Sequence, residues 1–558
     1  MAESMPDTTV DPVTLEVLWS RIQSIPNEMG ERIKNTAYSP VIKYSQDFST
    51  ALFTWDGRMI SQGVYTPGHL GSIPIAMQKI LDNHIQPDEW KPGDVVLTND
   101  PYINSGHLPD FSTFEPVFVD GELGGFCATI AHHTDVGGSV PGSYTMDARD
   151  RYAEGIQVPP TRVVREATPR TDLLDLITDN SRSPQQMRGD FDAQFAASRF
   201  GVELFEDLLN EYGIETFQTY AEEIIDRSEQ TTRAAIRDLP DGTRTSEDYV
   251  DGFDNQLNIR VTVTVDGDAL HVDFSGTADQ APETAINSVW NYTFAYTIYA
   301  IKAAIDSETP PTHGVSTPIS MTAPDDSLVN PSPPVPVGSR HVLSDRIVNA
   351  IAGALHEFRD GLVPASGSQD HVQVMEFQPS PESEGDIFQD VFYGGAGARP
   401  DRDGAPAVSA VSNVSNTPVE AIETSFPIRI DEYGFVQDSC GHGQFRGGPG
   451  TVRRYEFLES TNLQSINERF DAGPNGRNGG HNGVPGRAIL ESDGTTHALS
   501  SKDERVVKAG DTLAIYTSGG GGYGDPSDRP ANLVTDDLEN GLISAETAKT
   551  VYDLTLEQ

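Results

Sequence analysis

Cysteine is nearly missing: Cys127 and Cys440 are the only two among 558 residues, so neither a disulfide framework nor a four-cysteine zinc site can be built. A reducing, cytoplasmic setting is expected. Basic residues are scarce as well, with 38 Lys plus Arg against 84 Asp plus Glu and a net charge of -46. A field of that sign repels phosphate backbones, which excludes nucleic acid as an expected partner. No apolar run is long enough to span a bilayer, and residues 1–7 lack the basic and apolar regions of a secretory signal, so no membrane association is expected. The carboxylate excess is spread along the chain rather than gathered in a tail. Strong screening by salt makes such self-repulsion tolerable, so we expect a halophilic protein.

What is present describes a folded enzyme-sized chain. Apolar residues make up 37% and charged residues 22%, a globular composition, and 51 Gly with 38 Pro argue against a pure helical bundle. A chain this long exceeds one core. The pattern predicts an α+β, multi-domain, β-rich fold with several mixed or antiparallel sheets and a helical segment. The expected division is an N-terminal α+β domain over 1–240, a β-hairpin domain with a Pro-rich crossing over 241–340, and a Gly-rich β domain over 341–558.

Asp11-Pro12 can cap a helix whose apolar residues Leu15, Leu18, Trp19, Ile22, Ile25, Met29 and Ile33 keep helical spacing, with Pro26 a kink. Residues 47–63 read as a hairpin through Trp55-Asp56-Gly57-Arg58, and strands are expected at 95–98, 114–119 and 125–131. Residues 184–239 carry apolar residues at helical intervals. Ile259, Val261, Val263 and Val265 alternate, turn at Asp266-Gly267-Asp268 and return through Leu270, Val272 and Phe274. Residues 323–339 read as a linker or extended crossing. Gly519–Gly524 lacks the Lys-Ser/Thr of a phosphate-cradling loop and reads as a turn.

Chemistry concentrates between residues 99 and 138: Asn99-Asp100-Pro101-Tyr102, Gly106-His107-Leu108-Pro109-Asp110, and His132-His133-Thr134-Asp135-Val136-Gly137-Gly138. Imidazole and carboxylate are the usual ligands of a catalytic first-row divalent metal. If the strands beginning after Asp110 and ending before His132 pair through the turn at 120–124, then His107, Asp110 and His132 meet at one sheet edge. His132 and His133 should point to opposite sides of extended backbone, so one of them reaches a metal and the other acts behind it or packs. Pattern alone equally suits a hydrogen-bonded His-His pair at a strand end. His69, after Thr66-Pro67-Gly68, is a candidate pocket residue for substrate binding.

In order and type these blocks resemble the hydantoinase B family, which includes N-methylhydantoinase B, the matching part of 5-oxoprolinase and the acetone carboxylase alpha subunit. Asn180-Ser181-Arg182-Ser183-Pro184 with Gly189-Asp190, Asn416-Thr417-Pro418-Val419-Glu420, Asp438-Ser439-Cys440-Gly441, Phe445-Arg446-Gly447-Gly448-Pro449-Gly450 and Gly519–Pro526 extend the resemblance over nearly the whole chain. It implies a divalent cation, manganese, zinc or iron, on His107, Asp110 and His132. It also implies a hetero-oligomer with an A-type, actin-like ATPase subunit that binds ATP and phosphorylates a small-molecule substrate. Two departures stand out: Asn104-Ser105-Gly106 where the family often has Gly-Gly-Thr, and Cys440 and His442 where small residues are common.

The expected function is thus the B-type subunit of an ATP-dependent cyclic amidohydrolase, opening a hydantoin-like or oxoproline-like ring. Asp135 or His133 would accept a proton, and Asn99 and Asp100 would orient the substrate. The rivals are ATP-dependent carboxylation of a ketone, as in the acetone carboxylase branch, and a non-catalytic scaffold whose histidines are structural.

Overall fold

The computed structural model of the chain describes residues 10–69, 71–253, 257–377 and 387–554. Helix α1 (Pro12–Thr36) begins where a cap is available, because Asp11 accepts the Thr14 N–H at 2.8 Å and Pro12 stands at the first helical position. The helix continues through Pro26, burying Leu15, Leu18, Ile22, Ile25, Met29 and Ile33. It lies against α2 (Pro184–Tyr212), which with α3 (Ile214–Arg237) makes up the expected helical segment.

The first sheet positions the site. Its strands are β1 (Phe48–Thr54), β2 (Met59–Gln62), β3 (Val95–Thr98), β4 (Asp110–Val119), β5 (Glu122–His132), β6 (Thr161–Arg165) and β7 (Thr168–Pro169), in the order β2-β1-β5-β4-β3-β6-β7. β4 and β5 are central, and each is buried over most of its length. One face carries Cys127 into a core with α1 and α2, and the other carries Phe114, Ala128 and Ile130 against Met77 and Ile80 of the helix Ser72–Asn83. The pair is longer than the sequence predicts: β4 starts at Asp110, and the turn is Asp120-Gly121.

A second, mixed sheet holds β8 (Gly242–Val250), β9 (Leu257–Asp266), β10 (Ala269–Asp273) and β11 (Ile319–Thr322), with β9 and β10 forming the predicted hairpin. Its apolar face packs with α4 (Trp290–Ile305) and α5 (His341–His356) in one core that includes Val261, Val263, Tyr296, Ile347 and Ile351. Two further sheets, of four and five strands, lie within His371–Val507 and Ile428–Tyr516. The fold is α+β with four antiparallel or mixed sheets.

Gly519–Gly524 is a correction to the sequence reading. It is an inner strip rather than a turn, hydrogen-bonded to neighbouring backbone along its length: Gly441 N–H to Gly520 O at 2.7 Å, Gly520 N–H to Gly448 O at 2.9 Å and Gly522 N–H to His481 O at 2.9 Å. A Cβ on Gly520 would overlap the Ala396 carbonyl, and one on Gly447 would overlap the Gly520 carbonyl. Glycine is used here because backbone stacks directly on backbone.

Candidate metal centre

Register brings two of the polar side chains together. Asp110 and His132 are direct cross-strand partners in the β4–β5 ladder, so their side chains leave the same face of the sheet a few ångströms apart. His107 arrives from the loop before β4, where Gly106 has φ +99 and where a Cβ would meet Val289 Cγ2 at 2.7 Å and Arg340 Cδ at 2.9 Å. Glycine is therefore required twice over, by the backbone and by the approaching arginine. The result is a buried cluster: His107 Nε2 lies 2.8 Å from Asp110 Oδ1, and His132 Nδ1 lies 3.1 Å from the same oxygen and 3.2 Å from His107 Nε2.

Hydrogen bonding fixes what His107 offers. Its Nδ1 is 3.0 Å from the Gly338 carbonyl oxygen, which can only accept, so the ring proton is on Nδ1 and Nε2 presents a lone pair to Asp110 and His132. Protonating Nε2 as well is opposed by burial and by Arg340, which pull His107 down to about 4. Despite its own burial, Asp110 is held well below the usual carboxylate range by His107 and Arg340. A proton on His132 Nδ1 would satisfy one neighbour and leave the other lone pair facing an acceptor. A divalent cation would satisfy all three donor atoms, which lie within 4.8 Å of one another, so the residues fit a metal.

The surroundings hold this set in place. Arg340 donates to Asp110 Oδ2 at 2.6 Å and to the Ser105 carbonyl at 2.6 Å, and its guanidinium lies over the Tyr292 ring at 3.8 Å. The Ser105 hydroxyl donates to the same Asp110 oxygen, and Asn104 donates to the Asp110 carbonyl at 2.9 Å, which gives the Asn104-Ser105 departure a role in the cluster. Glu154 accepts from Val337 N–H at 2.8 Å and Gly338 N–H at 2.6 Å, fixing the carbonyl that orients His107. Burial pushes Glu154 up to about 8. The segment read as a linker is thus part of the site.

A narrow cleft reaches this cluster, walled by His69, His107, Asp110, Tyr144, Tyr292, Tyr296, Arg340, His341 and Asp370. Asp47 also lines it, with Oδ2 4.0 Å from His132 Nδ1. Burial raises the Tyr144, Tyr292 and Tyr296 phenols, so they remain protonated.

Among the predicted substrate residues, the structure puts His69 in the cleft: its Nδ1 is 2.9 Å from Ser49 Oγ and its Nε2 3.7 Å from Asp110 Oδ2. The others are committed elsewhere. Asn99 donates to the Leu108 and Ile156 carbonyls and accepts from Val158 N–H, and Asp100 accepts from Tyr102 N–H and Gln157. Asp135 is filled by Gly137 and Gly142 N–H and by Arg182. His133 faces away from the cluster, bonded to Gln194 at 2.9 Å and packed on Phe111 and Phe191. Asn99, Asp100 and Asp135 thus direct their side-chain oxygens and nitrogens to nearby backbone and side chains, and His133 is held through Nε2 on the side away from the cluster. Cys440 is buried with Val534, Ile543 and Ala548, and His442 bonds Tyr552; neither lines the cleft. Arg340, His341, Glu154 and Asp47 escape sequence reasoning, since no local spacing connects them to residue 110.

Residues 11–526 match the family described as Hydantoinase B/oxoprolinase. The chain is 37% identical to an uncharacterized protein of Methanocaldococcus jannaschii, with 97% of this chain and 96% of that protein aligned. It is 30% identical to the caprolactamase subunit beta of Pseudomonas jessenii, covering 98% and 97% of the two. The crystal structure of the ATP-dependent caprolactamase from Pseudomonas jessenii superposes with a TM-score of 0.88 at 28% identity, over 99% of this chain and 97% of that one.

Proposed function

Because the chain belongs to the hydantoinase B/oxoprolinase family, we propose that it is the B-type subunit of an ATP-dependent cyclic amidohydrolase, opening a hydantoin-, oxoproline- or lactam-like ring. An A-type, actin-like ATPase subunit supplies the ATP-driven activation, and the two form a hetero-oligomer. The observation that carries this reading is the convergence of two imidazole nitrogens and one carboxylate oxygen at the base of a cleft.

An amide carbonyl is a poor electrophile because nitrogen donates into it, so ring opening needs the oxygen polarised and the nitrogen protonated. A manganese, zinc or iron ion on His107, Asp110 and His132 would supply Lewis-acid polarisation of the carbonyl oxygen. Arg340 keeps Asp110 ionised and turns one carboxylate oxygen toward itself, leaving the other for the imidazole side. The Gly338 carbonyl, on a segment that Glu154 anchors by accepting from the Val337 and Gly338 N–H groups, keeps the His107 proton on Nδ1. Tyr144, Tyr292 and Tyr296 add aromatic surface to the cleft wall. His69 sits beside Asp110 with its Nε2 toward the cleft. Support for the reaction class comes from a relative of matched length named a caprolactamase subunit beta, and from the similar solved structure, described as an ATP-dependent caprolactamase of the same organism.

The test is to co-purify the chain with its A-type partner and to measure phosphate and amine release with hydantoin, 5-oxoproline, caprolactam, and acetone plus bicarbonate. Phosphate release that depends on a cyclic amide, abolished by His107→Ala or Asp110→Ala in an intact complex, is expected. Turnover unchanged in those variants would make the chain a scaffold, and response to the ketone alone would move the site to carboxylation.

A further inference from the structure

Resting on the cyclic-amide reading above, we propose that His341 is the substrate-facing imidazole of the cleft, bonding the ring amide and passing a proton to the departing nitrogen. Helix α5 begins at this residue, directly after the arginine that grips Asp110. Its ring is partly buried, and among the described residues it is the one histidine whose two ring nitrogens are both shielded from solvent and both without a hydrogen-bond partner. A polar group shielded and left without a partner costs free energy unless a ligand completes it.

The other imidazoles at or beside the cleft are each held through at least one ring nitrogen. His69 is bonded to Ser49, His107 to Gly338 and Asp110, and His132 to Asp110. His341 is held without using its nitrogens: its ring packs edge-on against Tyr144 with centroids 5.3 Å apart, and its carbonyl accepts from the Ser344 hydroxyl at 2.6 Å. The same Tyr144 ring lies 5.7 Å from His132 and 6.0 Å from His107. His341, His107 and His132 therefore surround one tyrosine, and His341 lines the same cleft as His107 and Asp110. Burial, then the neighbouring His107 and Arg340, hold His341 well below the usual histidine range. It is thus neutral near pH 7, with one N–H and one lone pair, the combination that can both accept and deliver a proton.

The step balances without any further reagent. Water adds its oxygen to the carbonyl carbon and gives a proton to the free imidazole nitrogen, and the same nitrogen passes that proton to the amide nitrogen as the carbon–nitrogen bond breaks. The products are a carboxylic acid and an amine, and the imidazole returns to its starting neutral form. Whichever oxygen is activated beforehand, the nitrogen leaves only with a proton.

The experiment uses the complete two-subunit complex, with His341→Gln and His341→Ala compared with the unmodified chain for kcat, KM, metal per chain and Tm. The expected result is a kcat lowered about 100-fold or more, the range of a positioned proton donor, with metal content and Tm unchanged. A His341→Gln complex that turns over within about two-fold of the unmodified one overturns this assignment and leaves the amidohydrolase reading standing. Loss of turnover together with metal or Tm also overturns it, since a packing residue would behave that way. An unmodified complex that opens no cyclic amide overturns both.

Discussion

Replacing Asp110 by asparagine separates the charge of the cluster from its hydrogen bonds. The Asp110 side chain is 2% exposed and that of Arg340 5%, so the pair is desolvated. One carboxylate oxygen accepts from Ser105 and Arg340, and the other faces His107 and His132. Asparagine can present its carbonyl oxygen to the first pair and its NH2 to the imidazole lone pairs, so the contacts survive and the variant folds. The anion does not survive. Removing one partner of a buried ion pair costs about 3–5 kcal/mol, and with the hydrogen bonds kept Asp110→Asn belongs near about 3 kcal/mol. The ligand set simultaneously exchanges its only carboxylate oxygen for an amide donor, so metal binding is lost. Urea unfolding gives the first quantity, and metal per chain after dialysis against manganese or zinc gives the second. An unchanged urea midpoint would refute the electrostatic argument, and wild-type metal content in the variant would refute the ligand assignment.

Other perturbations follow from the same geometry. Glu154 titrates at about 8 in the fold, above its unfolded value, so its neutral form stabilises fully at low pH and that contribution drains away as pH rises through about 8. Glu154→Gln imitates the protonated acid and should flatten the urea midpoint between about pH 5 and 8; a midpoint as pH-dependent as in the unmodified chain contradicts this. Glu154→Ala frees the Gly338 carbonyl and should weaken metal affinity about 10–100-fold by equilibrium titration. Gly520→Ala forces a methyl group into the Ala396 carbonyl and should cost about 3 kcal/mol or more, read as a lower urea midpoint or as insoluble protein. With a net charge of -46, Tm should rise as KCl goes from about 0.1 to 2 M, through screening of self-repulsion, and a falling Tm would count against it.

What could be read from the chain was local. Asp110 and His132 are joined by a hairpin with a short turn, so alternation and pairing suffice to put them on one face, and the same alternation sends His133 to the other. His107 is three residues from Asp110. Arg340 and His341 lie more than 200 residues further on, and only the start of α5, whose body packs on the second sheet, brings them to the first. Asn99, Asp100 and Asp135 illustrate a different limit, because polar residues in a dense motif can serve a loop's own backbone as readily as a ligand, and spacing does not distinguish the two. The strip Gly519–Gly524 was legible as glycine but not as interior: turns and direct backbone stacking demand the same residue.

The central claim is tested most directly by diffraction from crystals of the chain soaked in manganese, with data collected on both sides of the manganese absorption edge. A single anomalous peak bonded to His107 Nε2, Asp110 Oδ1 and His132 Nδ1 is predicted. A cleft without a peak at saturating manganese and zinc, or a peak held by other residues, would contradict it.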